Sequence, residues 1–287
     1  MSVRDKLVLS LGLVPQNLVS YAVGAAVRLK FPKPMQNLIN QSFVSGFGLN
    51  MGEASQDIQD YNSIEEIFTR ALKPDQRKIE GRYVASADGI LERSEASESG
   101  DTAIQAKGLT YSLSEVVTGD PSARIDAQWY TTTYLAPHNY HRVHAPFSGK
   151  VTRLRYIPGR LWPVNKPAVR TIANLFGKNE RLVFDFELEG GGLGWVVMVG
   201  AFNVGRMTTR LDPDFVTNAV SRQLGTSEGV REIALKDAPQ VNAGDELGIF
   251  MLGSTTVVVL DRKARQTLNP VVRAEPATIR MGQSLSQ

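Results

Sequence analysis

The feature that most constrains the fold is a change of pattern near residue 83. From Tyr83 onward, short apolar runs are broken by glycine, proline and aspartate, which is how strands joined by turns read. The clearest runs are Arg181–Leu188, Gly194–Val199 and Glu246–Leu260. Residues 81–287 therefore read as a mainly antiparallel β domain and residues 1–80 as a helical region ahead of it, an α+β arrangement. A chain of 287 residues has room for one such domain with an appendage.

In the helical region, residues 7–27 carry no charge, with Arg4, Asp5 and Lys6 before them and Arg28, Lys30 and Lys33 after. About 20 apolar residues can cross a bilayer. Here Pro15, Gln16 and Asn17 sit in the middle, and a proline there frees backbone groups that lipid cannot satisfy. The spacing predicts two short helices, about 4–13 and 15–30, with Leu18, Tyr21, Ala22, Ala25 and Leu29 along one face. The favoured reading is a membrane-associating pair lying in the interface with its basic residues toward headgroups. A pair packed on its own domain and a signal peptide are the alternatives. Further on, Ser63-Ile64-Glu65-Glu66 has the form of a capping box, and Pro74 stops the helix it opens. Glu95–Thr102 reads as a polar loop and Leu211–Arg231 as a loop or hairpin insertion. Asn269–Gln287 lose apolar periodicity, and the last several residues are expected to be loose.

Two phrases bear on the shape of the β domain. His144-Ala145-Pro146-Phe147-Ser148-Gly149-Lys150-Val151 and Ala243-Gly244-Asp245-Glu246-Leu247 resemble the strand–turn phrases of barrel-sandwich-hybrid domains such as biotinyl and lipoyl carriers. Those carriers present a modified lysine at a hairpin tip. Here the corresponding tip would carry Gly253-Ser254.

The absence of cysteine excludes disulfides, thiolate zinc sites and cysteine nucleophiles. A net charge of +3 with no dense Lys/Arg stripe interleaved with aromatics gives no reason to expect nucleic acid as a partner. All three histidines, His138, His141 and His144, fall within one short segment bounded by Pro137 and Pro146. The prolines argue against a long helix, and a metal would need further ligands, so none is expected; structural and acid–base roles stay open. Gly253-Ser254-Thr255 interrupts an apolar run that resumes at Val257. A glycine-permitted bend in a buried strand exposes one peptide bond, and a hydroxyl just after it can attack the preceding carbonyl if a base takes its proton. Asp88-Gly89, taken alone, reads as a turn.

Together, Tyr140-His141-Arg142-Val143-His144-Ala145-Pro146, Leu252-Gly253-Ser254-Thr255 and Ala87-Asp88-Gly89 resemble the three signatures of phosphatidylserine decarboxylases. Phe68–Pro74, Leu161–Asn165 and Asn179–Arg181 agree, and the resemblance runs from about residue 60 to 262. Where the family commonly has Arg-Asp before the Tyr-His-Arg phrase, this chain has His138-Asn139, so His138 is left outside the site. The resemblance implies a proenzyme that cuts itself between Gly253 and Ser254. Asp88, His144 and Ser254 would form a charge-relay set, with Asp88 holding the tautomer of His144 and His144 deprotonating Ser254. Acyl shift, elimination and loss of ammonia would turn Ser254 into a covalent pyruvoyl group, the cofactor. A β chain, 1–253, and an α chain, 254–287, would remain associated. The pyruvoyl group would bind the serine amine of phosphatidylserine as a Schiff base and accept the electrons released with carbon dioxide, giving phosphatidylethanolamine. His141 is the next candidate, for proton handling or carboxylate positioning, and Arg142 or Lys166 for holding the phosphodiester. A peripheral place on the cytoplasmic side of the cell membrane fits this substrate, and a homodimer is compatible with it. Three rival readings remain: a pyruvoyl enzyme for a soluble amino acid, a serine hydrolase with an intact chain, and a carrier in which Ser254 is a plain turn residue.

Overall fold

The structure, a computed structural model, describes residues 8–106, 108–202, 206–217, 229–235, 237–251 and 254–287. Its helices are α1 (Gln16–Ala26), α2 (Lys33–Phe47), α3 (Ile64–Phe68), α4 (Leu113–Thr118), α5 (Lys166–Val169), α6 (Leu175–Lys178) and α7 (Arg262–Leu268). Its strands are β1 (Gly89–Ala96), β2 (Thr102–Ala106), β3 (Leu109–Ser112), β4 (Trp129–Tyr134), β5 (Arg142–His144), β6 (Gly149–Ile157) and β7 (Arg181–Leu188). They continue with β8 (Leu193–Val199), β9 (Met207–Thr209), β10 (Arg231–Ile233), β11 (Gln240–Val241), β12 (Glu246–Phe250), β13 (Thr255–Leu260) and β14 (Ala277–Ile279).

The result is a mixed helix–sheet fold in which the strand pairs are antiparallel. A nine-stranded sheet runs β10-β6-β7-β8-β13-β4-β1-β14, with β11 also on β6, beside a three-stranded sheet β5-β12-β9 and the hairpin β2-β3. The large sheet is an open path, so the closed half of the expected barrel-sandwich form is absent among the described residues. The apolar run Val257–Leu260 lies at the centre: β13 is buried along its whole length, between β4 and β8.

One expectation is overturned here. β12 and β13 were expected to meet at a hairpin tip, yet β12 pairs with β5 and β9 while β13 pairs with β4 and β8. Each strand has its own neighbours on both sides, and residues 252–253 between them lie outside the described set. The C-terminal segment also differs from expectation. β14 pairs with β1, and Leu285 is buried, its N–H donating to the Tyr83 carbonyl at 2.8 Å. Backbone hydrogen bonds hold this tail, and they leave no trace in apolar periodicity.

The helices before β1 are inverted relative to an ordinary surface helix. Residues 8–10 are helical and Leu11–Leu13 form a 3-10 turn, so the first expected helix is shorter where it is described. α1 buries Gln16 and Ser20, and α2 buries Gln36 and Asn40. Their amides are satisfied: Gln36 Nε2 donates to Asn40 Oδ1 at 2.8 Å, and Asn40 Nδ2 donates to the Ile58 and Tyr61 carbonyls at 3.0 Å. Large apolar side chains point outward instead, among them Leu13 at 90% exposure, Leu18, Leu29, Met35, Leu38 and Phe47. No helix of the described residues is long and apolar enough to cross a membrane. The Ser63 cap is as expected on one side only: its Oγ accepts from Glu66 N–H, whereas Glu66 reaches back to Asn62 N–H at 2.7 Å.

Candidate active site

β4 and β13 run side by side, and their ladder continues one step past the strands, where Leu135 N–H donates to the Ser254 carbonyl at 2.7 Å. Ser254 is thus fixed at the entrance to the most buried strand. It is itself fully buried, and its Oγ has no hydrogen-bond partner. Such an orphan costs about 1–3 kcal/mol, which marks it as more than a turn residue. Gly253, the other side of the expected cut, lies outside the described residues.

His144 is linked to β13 by way of Ser86. Its N–H donates to the Ser86 carbonyl at 2.8 Å, and Ser86 Oγ lies 3.2 Å from Thr256 Oγ1. Alternation along a strand puts Ser254 and Thr256 on one side. No hydrogen bond joins His144 to Ser254, because both ring nitrogens of His144 are occupied. Nδ1 lies 2.7 Å from the Gly244 carbonyl, which can only accept, so Nδ1 carries the proton. Nε2 then holds the lone pair and accepts from the Tyr140 hydroxyl at 3.0 Å. Burial pushes the His144 imidazole below its ordinary value and the Tyr140 phenol above its own, so a neutral base faces a protonated phenol. Gly244 can aim its carbonyl this way because its φ is +92°, a region that favours glycine. Gly244 N–H donates to the Ala145 carbonyl and Ala145 N–H to the Asp245 carbonyl, both at 2.8 Å, so the two carrier-like phrases of the sequence pack on each other.

No hydrogen bond joins Asp88 to His144 in this structure. Arg77 Nε and Nη2 grip its carboxylate at 2.9 and 2.5 Å, and Met281 N–H donates to Oδ1 at 2.8 Å. A bidentate, charge-assisted pair of this kind outcompetes a neutral imidazole for the carboxylate. Asp88 therefore favours the charged form of His144 only through space. Arg77 also binds Glu53 at 2.8 Å, and Glu53 meets Arg280 at 3.3 Å, which ties the helical region and the tail to this one carboxylate. Gly89 starts β1 rather than making the expected turn, and a Cβ there would run into the Tyr134 carbonyl.

His141 is fully buried, with Nδ1 donating to the Asn139 carbonyl at 2.8 Å and its ring 4.0 Å from that of Phe68. Its Nε2 is a second orphan, and burial lowers its pKa to about 3. His138 is exposed, its carbonyl accepting from Arg70 at 3.2 Å. The three histidines diverge, and no three His, Asp or Glu of the described residues gather as metal ligands. Beside the site lies an apolar cavity of about 360 Å³ whose walls include Val23 and Phe47 of the helices, Phe68, Leu135 and Val164. It reaches from the outward-facing helices to the residue bonded to Ser254.

Sequence reasoning gave no role to Tyr140, Gly244 or Arg77. Tyr140 and Gly244 lay inside phrases already singled out, but their parts depend on one hydroxyl and one carbonyl placed by tertiary structure. Arg77 stands in a polar stretch with no local signal.

Comparison with known proteins joins these observations. The family model described as phosphatidylserine decarboxylase matches residues 64–287. The phosphatidylserine decarboxylase proenzyme of Anaeromyxobacter sp. (strain K) is 38% identical, with 98% of each chain covered. That of Alcanivorax borkumensis is 36% identical over 90% of this chain and 89% of its own, and that of Myxococcus xanthus 33% over 95% of both. With its orphan serine, buried histidines and nearly full-length similarity, the chain belongs to the phosphatidylserine decarboxylase family.

Proposed function

We propose that this carboxy-lyase converts phosphatidylserine to phosphatidylethanolamine with a pyruvoyl group that it makes by cutting its own chain at Gly253-Ser254. The observation that carries the reading is the buried, unpartnered Ser254 hydroxyl at the head of β13. Ser254 Oγ gives its proton to His144 Nε2 once Tyr140 yields that position, and attacks the Gly253 carbonyl. The peptide C–N bond breaks and its nitrogen takes the proton back. Elimination then removes the Cα proton of residue 254 and breaks the Cβ–Oγ bond, leaving a carboxylate on Gly253 and a Cα=Cβ double bond. The resulting enamine tautomerises to an imine, which water hydrolyses to the ketone with release of ammonia. The β12–β5 and β13–β4 ladders survive the cut, so both chains stay in the fold.

The residues present suit such a group: the orphan hydroxyl is its source, and the Leu135 N–H anchors the adjoining carbonyl. A pyruvoyl group supplies an electrophilic carbonyl that binds an amine and takes up the electron pair left as carbon dioxide departs. His141, whose Nε2 has no partner and whose ring lies against Phe68, would handle the proton delivered to the α-carbon. Asp88 stabilises the charged form of His144 at a distance. The outward leucines of the N-terminal helices, flanked by Arg28, Lys30 and Lys33, support attachment to the membrane surface from the cytoplasmic side. The apolar cavity would receive part of the acyl chain.

The test is carbon dioxide release from carboxyl-labelled phosphatidylserine by the purified, cleaved protein, with one phosphatidylethanolamine formed per carbon dioxide. Release from free serine but not from the lipid would transfer the reading to a soluble amino acid.

A further inference from the structure

Two cations beside the cleavage strand have no part in the chemistry above. A second cleft, of about 150 Å³, adjoins the apolar cavity and shares Tyr134 and Val164 with it. Its walls carry Thr255, the residue after Ser254, together with Lys166, Arg170, Arg93 and Glu92. We infer that this cleft holds the phosphodiester of the substrate, with Lys166 and Arg170 as its ligands; the inference rests on the decarboxylase reading.

The other arginines near the site are committed. Arg142 donates to Glu246 at 2.8 Å and to the Thr69 carbonyl at 3.0 Å, which removes the candidate that the sequence left beside Lys166. Arg70 serves the His138 carbonyl, and Arg77 serves Asp88 and Glu53. Arg93 is shared between Glu95 at 3.6 Å and the Ala274 carbonyl at 3.5 Å. Lys166 and Arg170 are exposed and have no ion-pair or hydrogen-bond partner from their side chains among the described residues. They stand four positions apart, at the start and just past the end of α5, the separation that brings side chains to one side of a helical turn.

The phosphodiester of such a lipid lies between the amine and the acyl chains. A site for it must therefore sit between the residue that captures the amine and the cavity that takes the chain. The cleft touches Thr255, the chain neighbour of Ser254 whose side chain lies on the opposite side of the strand, and shares Tyr134 and Val164 with the cavity. The carboxylate is the wrong occupant: cations around it would stabilise the charge that must leave, whereas an apolar surrounding weakens that hold. Glu92 in the same cleft opposes an anion, so Lys166 and Arg170 together must outweigh it.

The experiment compares the wild type with the Lys166→Gln/Arg170→Gln double variant, whose changes are exposed and spare the core. Dihexanoyl phosphatidylethanolamine is the probe, because it keeps the phosphodiester and has no carboxylate. Its Kd, by calorimetry, should rise about tenfold or more in the variant, the scale of lost charge-assisted hydrogen bonds. Self-cleavage should be unchanged, and KM for dihexanoyl phosphatidylserine should rise in parallel while kcat stays within about threefold. An unchanged Kd for the phosphatidylethanolamine probe overturns the inference, and if KM for phosphatidylserine still rises, the cations serve the carboxylate. Carbon dioxide release by the wild type reports separately on the decarboxylase reading, since probe binding requires no turnover.

Discussion

The Tyr140 hydroxyl donates to His144 Nε2 at 3.0 Å, and so occupies the one lone pair through which His144 can act as a base. The ring needs no help from Tyr140 to keep its tautomer, because the Gly244 carbonyl already fixes Nδ1–H. If His144 takes the Ser254 proton as proposed, the tyrosine competes with the serine for the same lone pair. Tyr140→Phe should speed self-cleavage about fivefold, the equivalent of roughly 1 kcal/mol for one neutral hydrogen bond. The rate of fragment appearance in freshly synthesised chain measures this. Slower cleavage would make the hydroxyl a relay between serine and histidine instead of a competitor.

The Gly244 carbonyl bonds the His144 ring directly, whereas Asp88 is held by Arg77. Gly244→Ala places a side chain at φ +92° and should cost about 1–3 kcal/mol of stability while slowing cleavage as the carbonyl shifts. Asp88→Asn should destabilise the fold by about 3 kcal/mol, since it breaks a buried pair with Arg77. Its effect on cleavage should be about tenfold, well short of the roughly 10⁴-fold loss when a carboxylate bonded directly to the catalytic imidazole is removed. Denaturant melts and cleavage time courses on the two variants separate these outcomes. A loss near the larger figure in Asp88→Asn would restore the direct contact in the reacting state.

Acid sensitivity follows from burial of the two histidines. His144 must be neutral to act, and its folded pKa lies below 6.5, so the cleavage rate should stay level as pH falls through 6.5 and drop only in more acid solution. For His141 the folded value is about 3 against 6.5 when unfolded, so the unfolded chain binds the extra proton between them. Its contribution to stability is complete above pH 6.5 and is lost as pH falls toward 3, at up to about 1.4 kcal/mol per pH unit. His141→Leu should flatten that part of the stability profile, measured by urea unfolding, and should spare self-cleavage while lowering decarboxylation. An unaltered profile would mean that folding leaves the His141 pKa where it is in the unfolded chain.

Much of this site was legible in the sequence, for identifiable reasons. Arg181–Leu188 was predicted as a strand with the boundaries β7 has, because eight residues between turns leave no alternative period. The interrupted apolar run and the histidine cluster drew attention to Ser254, His144 and His141, their roles came only from the family resemblance, and all three are buried. The hairpin expected between β12 and β13 failed because pairing partners are non-local: nothing in Glu246–Phe250 says that it will choose β5 and β9. The tail failed for a related reason, since Leu285 is held by backbone hydrogen bonds to Tyr83 and not by a helical or alternating pattern. The Asp88–Arg77 pair was unreadable because a carboxylate's partner is set in space, eleven residues away in sequence.

The inverted helices give a membrane prediction that avoids uncovering the core. Removing residues 1–30 would expose Trp162, against which Gly12 packs, so substitution is the cleaner change. Leu13→Asp with Leu18→Asp should reduce sedimentation with anionic vesicles at least tenfold and leave stability within about 0.5 kcal/mol, as for surface changes elsewhere. Turnover of dihexanoyl phosphatidylserine should persist while turnover in vesicles falls. Equal vesicle binding by both proteins would mean that the apolar face serves another purpose.

The most direct test of the central claim is the intact mass of the purified protein under denaturing conditions, beside that of Ser254→Ala. Self-cleavage at Gly253-Ser254 predicts two fragments from the wild type. One ends at Gly253, and the other begins with residue 254 at the mass of a pyruvoyl group in place of serine. The variant should show the uncut chain alone. A single full-length mass for the active wild type, or two fragments from Ser254→Ala, would contradict the account.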